Sequence, residues 1–118
     1  MTIEQIEQLE YNWDGCDALP IPKDIINILK VLLPKLKYEP DIFPTPNGTV
    51  QLEYSAGFGN HLNIEIRQDL TMVIFEMFDN RSSIEDVYNY DLTGSKLNTF
   101  EYDEDMIISR VNKFMGKI

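Results

Sequence analysis

The chain has one histidine, His61, whose imidazole could transfer a proton or bind a metal. A general base needs its partners within hydrogen-bond reach. If the strands on either side of the "GFG" turn pair, Ser55 lies opposite His61, and Ser with His forms a nucleophile and its base. The sequence supplies no third residue to orient the imidazole. We therefore interpret the pair as exposed strand neighbours, predict no catalytic residue, and favour a non-enzymatic function.

Three glutamates, Glu53, Glu65 and Glu76, are candidates for one shared sheet face on adjacent strands. Hard cations bind such clusters of carboxylate oxygens. The spacing of the acidic residues matches no known metal-binding loop, however, and a solvated acidic face is the simpler interpretation. The sequence therefore predicts neither a metal site nor a cofactor. A small metal-binding or hydrolytic domain that uses His61 and these carboxylates stays open as an alternative.

The balance of charge narrows the class of partner. Ten Lys and Arg residues stand against 20 Asp and Glu residues, which gives a formal net charge of −10. Binding to nucleic acid or to an anionic membrane requires clustered basic side chains, and here they are few and scattered. We therefore expect no direct nucleic-acid binding and no membrane binding. An acidic surface instead attracts a basic partner.

The length and the single cysteine bound the class of protein. A chain of 118 residues fits one domain over residues 1–118. No apolar run approaches the roughly 20 residues that span a bilayer, and "MTIEQIEQLEY" lacks the basic and apolar regions of a signal peptide. Cys16 has no second cysteine with which to form a disulfide. These features predict a cytoplasmic protein.

Helical patterns stand at both ends of the chain. Ile3, Ile6 and Leu9 recur at helical spacing, and Thr2 with Gln5 has the spacing of a capping box. A second helix is expected to start near Pro22 and to end near Leu33, because Pro34 follows. The segment "DEDMIISRVNKFMGKI" carries the apolar stripe of a C-terminal helix.

Between these helices the pattern is that of a sheet. A brief edge strand is predicted at Ile42 and Phe43, followed by an Asn47-Gly48 turn. The segments "TVQLEYSA", "HLNIEIRQ", "TMVIFEMF" and "IEDVYNYDL" follow as strands with short links, which favour antiparallel neighbours. The predicted class is α+β: two N-terminal helices, an antiparallel meander of four or five strands, and a C-terminal helix packed on one sheet face.

The register of the sheet follows from parity. Pairing Leu52 with Ile64 keeps the apolar residues of both strands on one face. A two-residue turn at Asp69-Leu70 then pairs Ile64 with Phe75. In this prediction the inner, helix-covered face carries Leu52, Ile64, Phe75 and Met77. The outer face carries Glu53, Asn63, Glu65, Arg67, Met72, Ile74 and Glu76.

The only tryptophan, Trp13, sits in the turn "NWDG". Asn12 and Asp14 form turns through side-chain to backbone hydrogen bonds, and Gly15 tolerates a reversed backbone. An exposed Trp flanked by acids would be an interface hot spot. A buried Trp would instead clamp the first helix to the sheet and fix the start of the second helix. The ordered turn chemistry favours the clamp.

Two short motifs, "NWDGCDALPI" and "PTPNGTVQLEY", resemble the pattern of an uncharacterised group of small bacterial proteins. The group shows Asn-Trp-Asp-Gly, then Ala and Pro-Ile, then Pro-Thr, a Gly turn and a strand ending Leu-Glu-aromatic. This chain has Cys16-Asp17 where the group has an aromatic residue and Gly. The resemblance implies a shared fold and no activity. The matching residues are Asn12, Trp13, Asp14, Gly15, Ala18, Pro20, Ile21, Pro44, Thr45, Gly48, Val50, Leu52, Glu53 and Tyr54.

The leading hypothesis is a small acidic interaction protein that restrains or adapts a basic protein partner. Its size and charge fit an antitoxin, an immunity protein or a phage-related regulator, by analogy of type. A homodimer through the outer sheet face and a nucleic-acid mimic with regularly spaced acids are further alternatives. The predicted interaction residues are Trp13, Asp14, Glu53, Phe58, Glu65, Met72, Ile74 and Glu76.

Overall fold

Helices bracket an antiparallel sheet along the chain. The computed structural model describes residues 1–56, 59–78, 82–89 and 104–116. The predicted α+β class is confirmed, with an antiparallel sheet, an N-terminal helix and a C-terminal helix. The helices are α1 (Ile3–Glu7), α2 (Lys23–Leu32) and α3 (Glu104–Met115). The strands are β1 (Asp41–Pro44), β2 (Val50–Ala56), β3 (Asn60–Ile66), β4 (Thr71–Phe78) and β5 (Ser82–Asn89).

The helix boundaries follow local chemistry. Thr2 caps α1 by accepting from the Gln5 amide, and the Gln5 side chain accepts from the Thr2 amide, so the predicted capping box is present. Pro22, which was predicted at the first helical position, is instead the N-cap of α2, one position before the helix begins at Lys23. The helix ends at Leu32 and tightens into a 3₁₀ turn at Leu33–Lys35, where Pro34 prevents its continuation.

The strands pair as neighbours in chain order, β1-β2-β3-β4-β5, and every pair is antiparallel. The predicted pairing of Leu52 with Ile64 is confirmed, and with it the position of Ser55 opposite His61. β1 pairs with β2 at the edge where the sequence predicted a brief strand. The five described strands therefore form a meander without a crossover connection among them.

The predicted register between β3 and β4 is wrong by one residue. Ile64 lies opposite Ile74, not Phe75. The connecting loop has three residues, 68–70, because the Arg67 amide donates to Thr71 O and the Leu70 amide to Arg67 O. Leu70 takes the left-handed conformation that this loop type requires, at φ 65°.

This shift exchanges the two faces of β4. Met72 and Ile74, predicted on the outer face, are 1% and 0% exposed in the core, and Glu76 is also buried on that side at 6%. Phe75 and Met77, predicted inside, lie on the outer face instead. The three predicted interaction residues Met72, Ile74 and Glu76 therefore supply no exposed contact surface.

One apolar cluster joins helices and sheet. The strand side chains that belong to it define the inner face: Val50, Leu52, Tyr54, Leu62, Ile64, Ile66, Met72 and Ile74. The helices contribute Ile6 from α1, Ile25, Ile26, Ile28, Leu29 and Leu32 from α2, and Ile107, Val111 and Phe114 from α3. The Leu70 side chain packs against the same cluster. The residue with positive φ in this loop is therefore also buried in the core. Val73 is buried but does not belong to this cluster, as its position on the opposite face requires.

Candidate functional site

The outer face of the sheet mixes carboxylates with apolar side chains. Alternation along the paired strands places these residues on it: Asp41, Phe43, Gln51, Glu53, Ser55, His61, Asn63, Glu65, Val73, Phe75 and Met77. Phe43 is 46% exposed, which is unusual for a phenyl ring on a sheet. Asp41 of β1 pairs with Glu53 of β2, so two carboxylates face the same side on adjacent strands.

A cavity of about 180 Å³ opens on this face between β2, β3 and β4. Its outer-face lining consists of Glu53, Ser55, His61, Asn63 and Phe75. The register explains this grouping, because Glu53 lies opposite Asn63 and Asn63 lies opposite Phe75. A carboxylate, an amide and an aromatic ring thus form one row across three strands.

Asn63 is in the middle of that row, and its side chain is incompletely paired. Its Oδ1 atom is buried and accepts no hydrogen bond from the described residues. Buried polar atoms are nearly always paired, so an unpaired acceptor on a residue that lines a cavity requires an explanation. A donor group from outside the chain would supply the missing bond.

His61 and Ser55 lie at one end of the cavity. The Ser55 Oγ and His61 Nδ1 atoms are 3.3 Å apart, and both residues are exposed. Within the described residues, His61 forms no hydrogen bond or ion pair with a carboxylate, and no three His, Cys, Asp or Glu side chains are grouped as metal ligands would be. Glu76 lies on the inner face, apart from Glu53 and Glu65, so the predicted trio of glutamates does not form.

Glu65 belongs to a hydrogen-bonded cluster at the opposite end of the outer face. Its Oε2 accepts from Thr49 Oγ1 at 3.2 Å and from Gln51 Nε2 at 3.4 Å, while its Oε1 accepts from Arg67 Nε at 3.0 Å. Partial burial raises the pKa of the Glu65 carboxyl, but these three donors outweigh it and hold the pKa below its usual value. The charge of the Glu65 carboxylate is thus balanced by donors within the chain, in contrast to that of Glu53.

The "NWDG" turn is a self-bonded loop. Asp14 Oδ1 accepts from the amides of Cys16 at 2.8 Å and Ala18 at 3.1 Å, and Asn12 Oδ1 accepts from the Asp17 amide at 2.8 Å. Asn12 and Asp17 both have positive φ, at 66° and 61°. Both predicted turn formers therefore act within their own loop, and the carboxylate of Asp14 is used there.

Trp13 fastens this loop to its neighbours. The half-buried indole donates from Nε1 to Leu19 O at 2.8 Å, and the Leu19 amide donates to Pro46 O at 2.9 Å. Gly48 is close to Pro20 O, so the "NWDG" and "PTPNG" segments lie against each other. The clamp joins two loops. Trp13 does not belong to the core cluster in which α1 meets the sheet, so the predicted position between α1 and the sheet is not seen there.

The predicted interaction residues therefore separate into groups. Glu53 and Glu65 share the outer face, Trp13 and Asp14 lie in the loop clamp, and Phe58 lies outside the described residues. Sequence reasoning missed Phe43, Asn63 and Phe75. Phe43 carried a usable signal, since the adjacent Pro44 indicates an edge strand, which has a neighbouring strand on one side only.

Comparison with known proteins adds no relative. The chain matches no family model, and no curated protein or solved structure is significantly similar to it. No helix in the described part of the chain has both the length and the apolar character needed to cross a membrane.

Proposed function

We propose that this protein is a small acidic interaction module that binds and restrains a basic protein through the outer face of its sheet. The observation that carries the proposal is the composition of that face. Phe43, 46% exposed, stands there beside the paired carboxylates of Asp41 and Glu53. An exposed apolar side chain beside charges of one sign is typical of an interface for a partner of opposite charge.

Helix placement supports an open outer face. The buried side chains of α2 and α3 belong to the same cluster as the inner face of the sheet. We infer that both helices pack on that inner face, as the sequence predicted. Among the described residues, the outer face then receives no covering from either helix.

The charge of the face favours a basic partner. Like charges directly opposite one another destabilise a strand pair, so Asp41 and Glu53 gain from a neighbouring cation. The whole chain has a net charge of −10, which extends the attraction beyond the contact. The complex should therefore form quickly at low salt and weaken as salt screens the charges.

The proposal is tested by affinity capture from the source cell at low and high salt, with mass spectrometry of the retained proteins. The matched variants are Phe43→Ser and Val31→Ser, because Val31 on α2 is 49% exposed and lies away from the sheet. We expect one near-stoichiometric basic protein to bind the wild type and the Val31 variant, and to be lost with Phe43→Ser or high salt.

Two outcomes would reject this function. A partner that binds the Phe43 variant as well as the wild type would place the interface elsewhere. Light scattering that shows a stable homodimer abolished by Phe43→Ser would assign the outer face to a second copy of the chain.

A further inference from the structure

We propose that the cavity between Glu53, Asn63 and Phe75 is an arginine pocket, which receives the guanidinium group of an arginine from the basic partner. This inference rests on the proposed function and deepens it by naming the partner's chemical group. It commits to a particular place on the outer face and to a particular side chain.

The lining of the cavity matches a cationic donor. Glu53 is a carboxylate for which, within the described residues, no ion pair or hydrogen bond is shown. Phe75 provides an aromatic wall two strands away, and Asn63 lies between the two. Carboxylates and amide oxygens accept N–H bonds, and aromatic faces attract cations. A guanidinium would use all three.

The unpaired acceptor of Asn63 is the strongest argument for a donor from outside the chain. Within the described residues, Asn63 Oδ1 is buried and has no hydrogen-bond donor. Asn63 lies between Glu53 and Phe75 in the row of residues that lines the cavity. An N–H donor that reaches this oxygen would supply its missing hydrogen bond.

Size and shape favour guanidinium over ammonium. The cavity volume of about 180 Å³ is several times the ~30 Å³ that one water occupies in the liquid. Guanidinium is planar, presents five donors in a fixed fork and stacks on aromatic rings. It can therefore contact Glu53 and Asn63 together while lying against Phe75. An ammonium is a compact, strongly hydrated charge that would leave the aromatic wall unused.

The remaining polar groups are arranged at the side of the pocket. Ser55 Oγ and His61 Nδ1 are 3.3 Å apart and satisfy each other. Glu53 is the carboxylate of the lining.

The test is an NMR titration of the full chain with N-acetyl-arginine methylamide. The citrulline and lysine counterparts serve as controls. Citrulline keeps the planar shape of the guanidinium without its charge, and lysine keeps the charge without the planar set of five donors. We expect saturable shifts of the Asn63 side-chain amide signal, with a Kd of about 1 mM, as suits a single side chain. Citrulline should leave that signal unmoved, and lysine should bind about tenfold more weakly.

Three variants localise the binding. Glu53→Gln keeps the shape, removes the charge and should weaken arginine binding about tenfold. Asn63→Leu should also weaken binding, yet raise the Tm, because it removes an unpaired buried acceptor. Glu10→Gln is the control, since Glu10 is an exposed carboxylate outside the cavity. Folding of each variant is verified by its spectral dispersion.

Several results would overturn the arginine pocket. These are equal shifts with citrulline or lysine, shifts that are spread over the surface, or an arginine affinity unchanged in both Glu53→Gln and folded Asn63→Leu. If arginine fails while the Phe43-dependent partner still binds, the pocket is rejected and the proposed function stands. If arginine binds as expected while no basic partner is captured, the proposed function is rejected and the pocket stands.

Discussion

Ile64 of β3 lies directly opposite Ile74 of β4, and both side chains are fully buried. The adjacent residue, Phe75, faces Asn63 on the outer side of the sheet. Ile74→Ala should therefore cost about 2–5 kcal/mol, because it removes core contacts and leaves a cavity. Phe75→Ala should cost less, about 1–2 kcal/mol, since only part of the ring is removed from water. Urea unfolding of both variants measures the difference.

The comparison of these variants decides the register. If Phe75→Ala were the more destabilising of the two, Phe75 would be the core residue and β4 would be paired one residue away. Val50→Ala serves as a control for scale, because Val50 is fully buried on the inner face of β2 in either register.

Parity explains why one register could be predicted and the next could not. In β2 and β3 only one set of alternate residues is apolar, so Leu52 must face Ile64. In "TMVIFEMF" both sets are apolar, so alternation does not reveal which set faces the core. The loop length decides, and "RQDLT" fits a turn of two residues or of three. The three-residue form needs positive φ at Leu70, which is uncommon for a residue with a Cβ.

The same limit applies to the candidate site. The turn chemistry of Asn12 and Asp14 is local and was predictable from their side chains. Asn63 is one polar residue among several on the solvent side of a strand, and nothing in its neighbours along the chain marks it. Its neighbour Glu53 follows from the predicted register of β2 and β3, but Phe75 became its other cross-strand neighbour only through the register of β4.

Two glycines with positive φ provide a second test. Gly48 has φ 75°, and a Cβ there would clash with Gln68 Nε2 and lie 3.2 Å from Pro20 O. Gly15 has φ 78°, but a Cβ there would meet no atom within 4 Å. Gly15→Ala should cost only the backbone strain of about 1–2 kcal/mol. Gly48→Ala should cost more, because Gln68 must also give up its bond to Asn47 O.

Thermal unfolding of both variants measures the contact between the loops. A Gly48→Ala protein as stable as Gly15→Ala would show that the loops do not approach closely. Gln68→Ala with Gly48→Ala completes the cycle. If the clash with Gln68 dominates, the double variant should be more stable than the sum of the two single effects implies.

The clamp made by Trp13 is tested by removing one donor. Trp13→Phe keeps an aromatic ring but deletes the indole N–H that donates to Leu19 O at 2.8 Å. The loss should be about 0.5–1.5 kcal/mol in unfolding free energy. Tyr11→Phe is the matched control, since it deletes the bond from Tyr11 to Asp17 on a side chain that is 61% exposed. That loss should be near zero, and equal losses would refute a special role for Trp13.

Tyr54 predicts a fall in stability at alkaline pH. Its hydroxyl donates to Tyr38 O at 2.7 Å, and burial raises the pKa of the phenol above its usual value near 10. The stabilisation that comes from burying the protonated phenol is complete below the pKa that Tyr54 has in the unfolded chain. It is lost as the pH rises through and beyond that value. Tyr54→Phe should cost about 0.5–1.5 kcal/mol at neutral pH and remove one late-titrating phenol from the ultraviolet titration.

Glu65 predicts the opposite dependence at acid pH. Burial raises the pKa of Glu65, but hydrogen bonds from Arg67, Gln51 and Thr49 lower it by more, so the folded pKa lies below the ordinary value of 4.5. This stabilisation is complete above the unfolded pKa and is lost as pH falls through the folded pKa. Glu65→Gln should therefore lower stability at pH 7 and flatten the acid limb of a plot of Tm against pH. Thr49→Val, which deletes one of the three donors, should have a smaller effect of the same sign. An acid limb as steep in Glu65→Gln as in the wild type would mean that other carboxylates set it, with Asp69 the next to replace, because hydrogen bonds from Thr71 hold its pKa below the usual value.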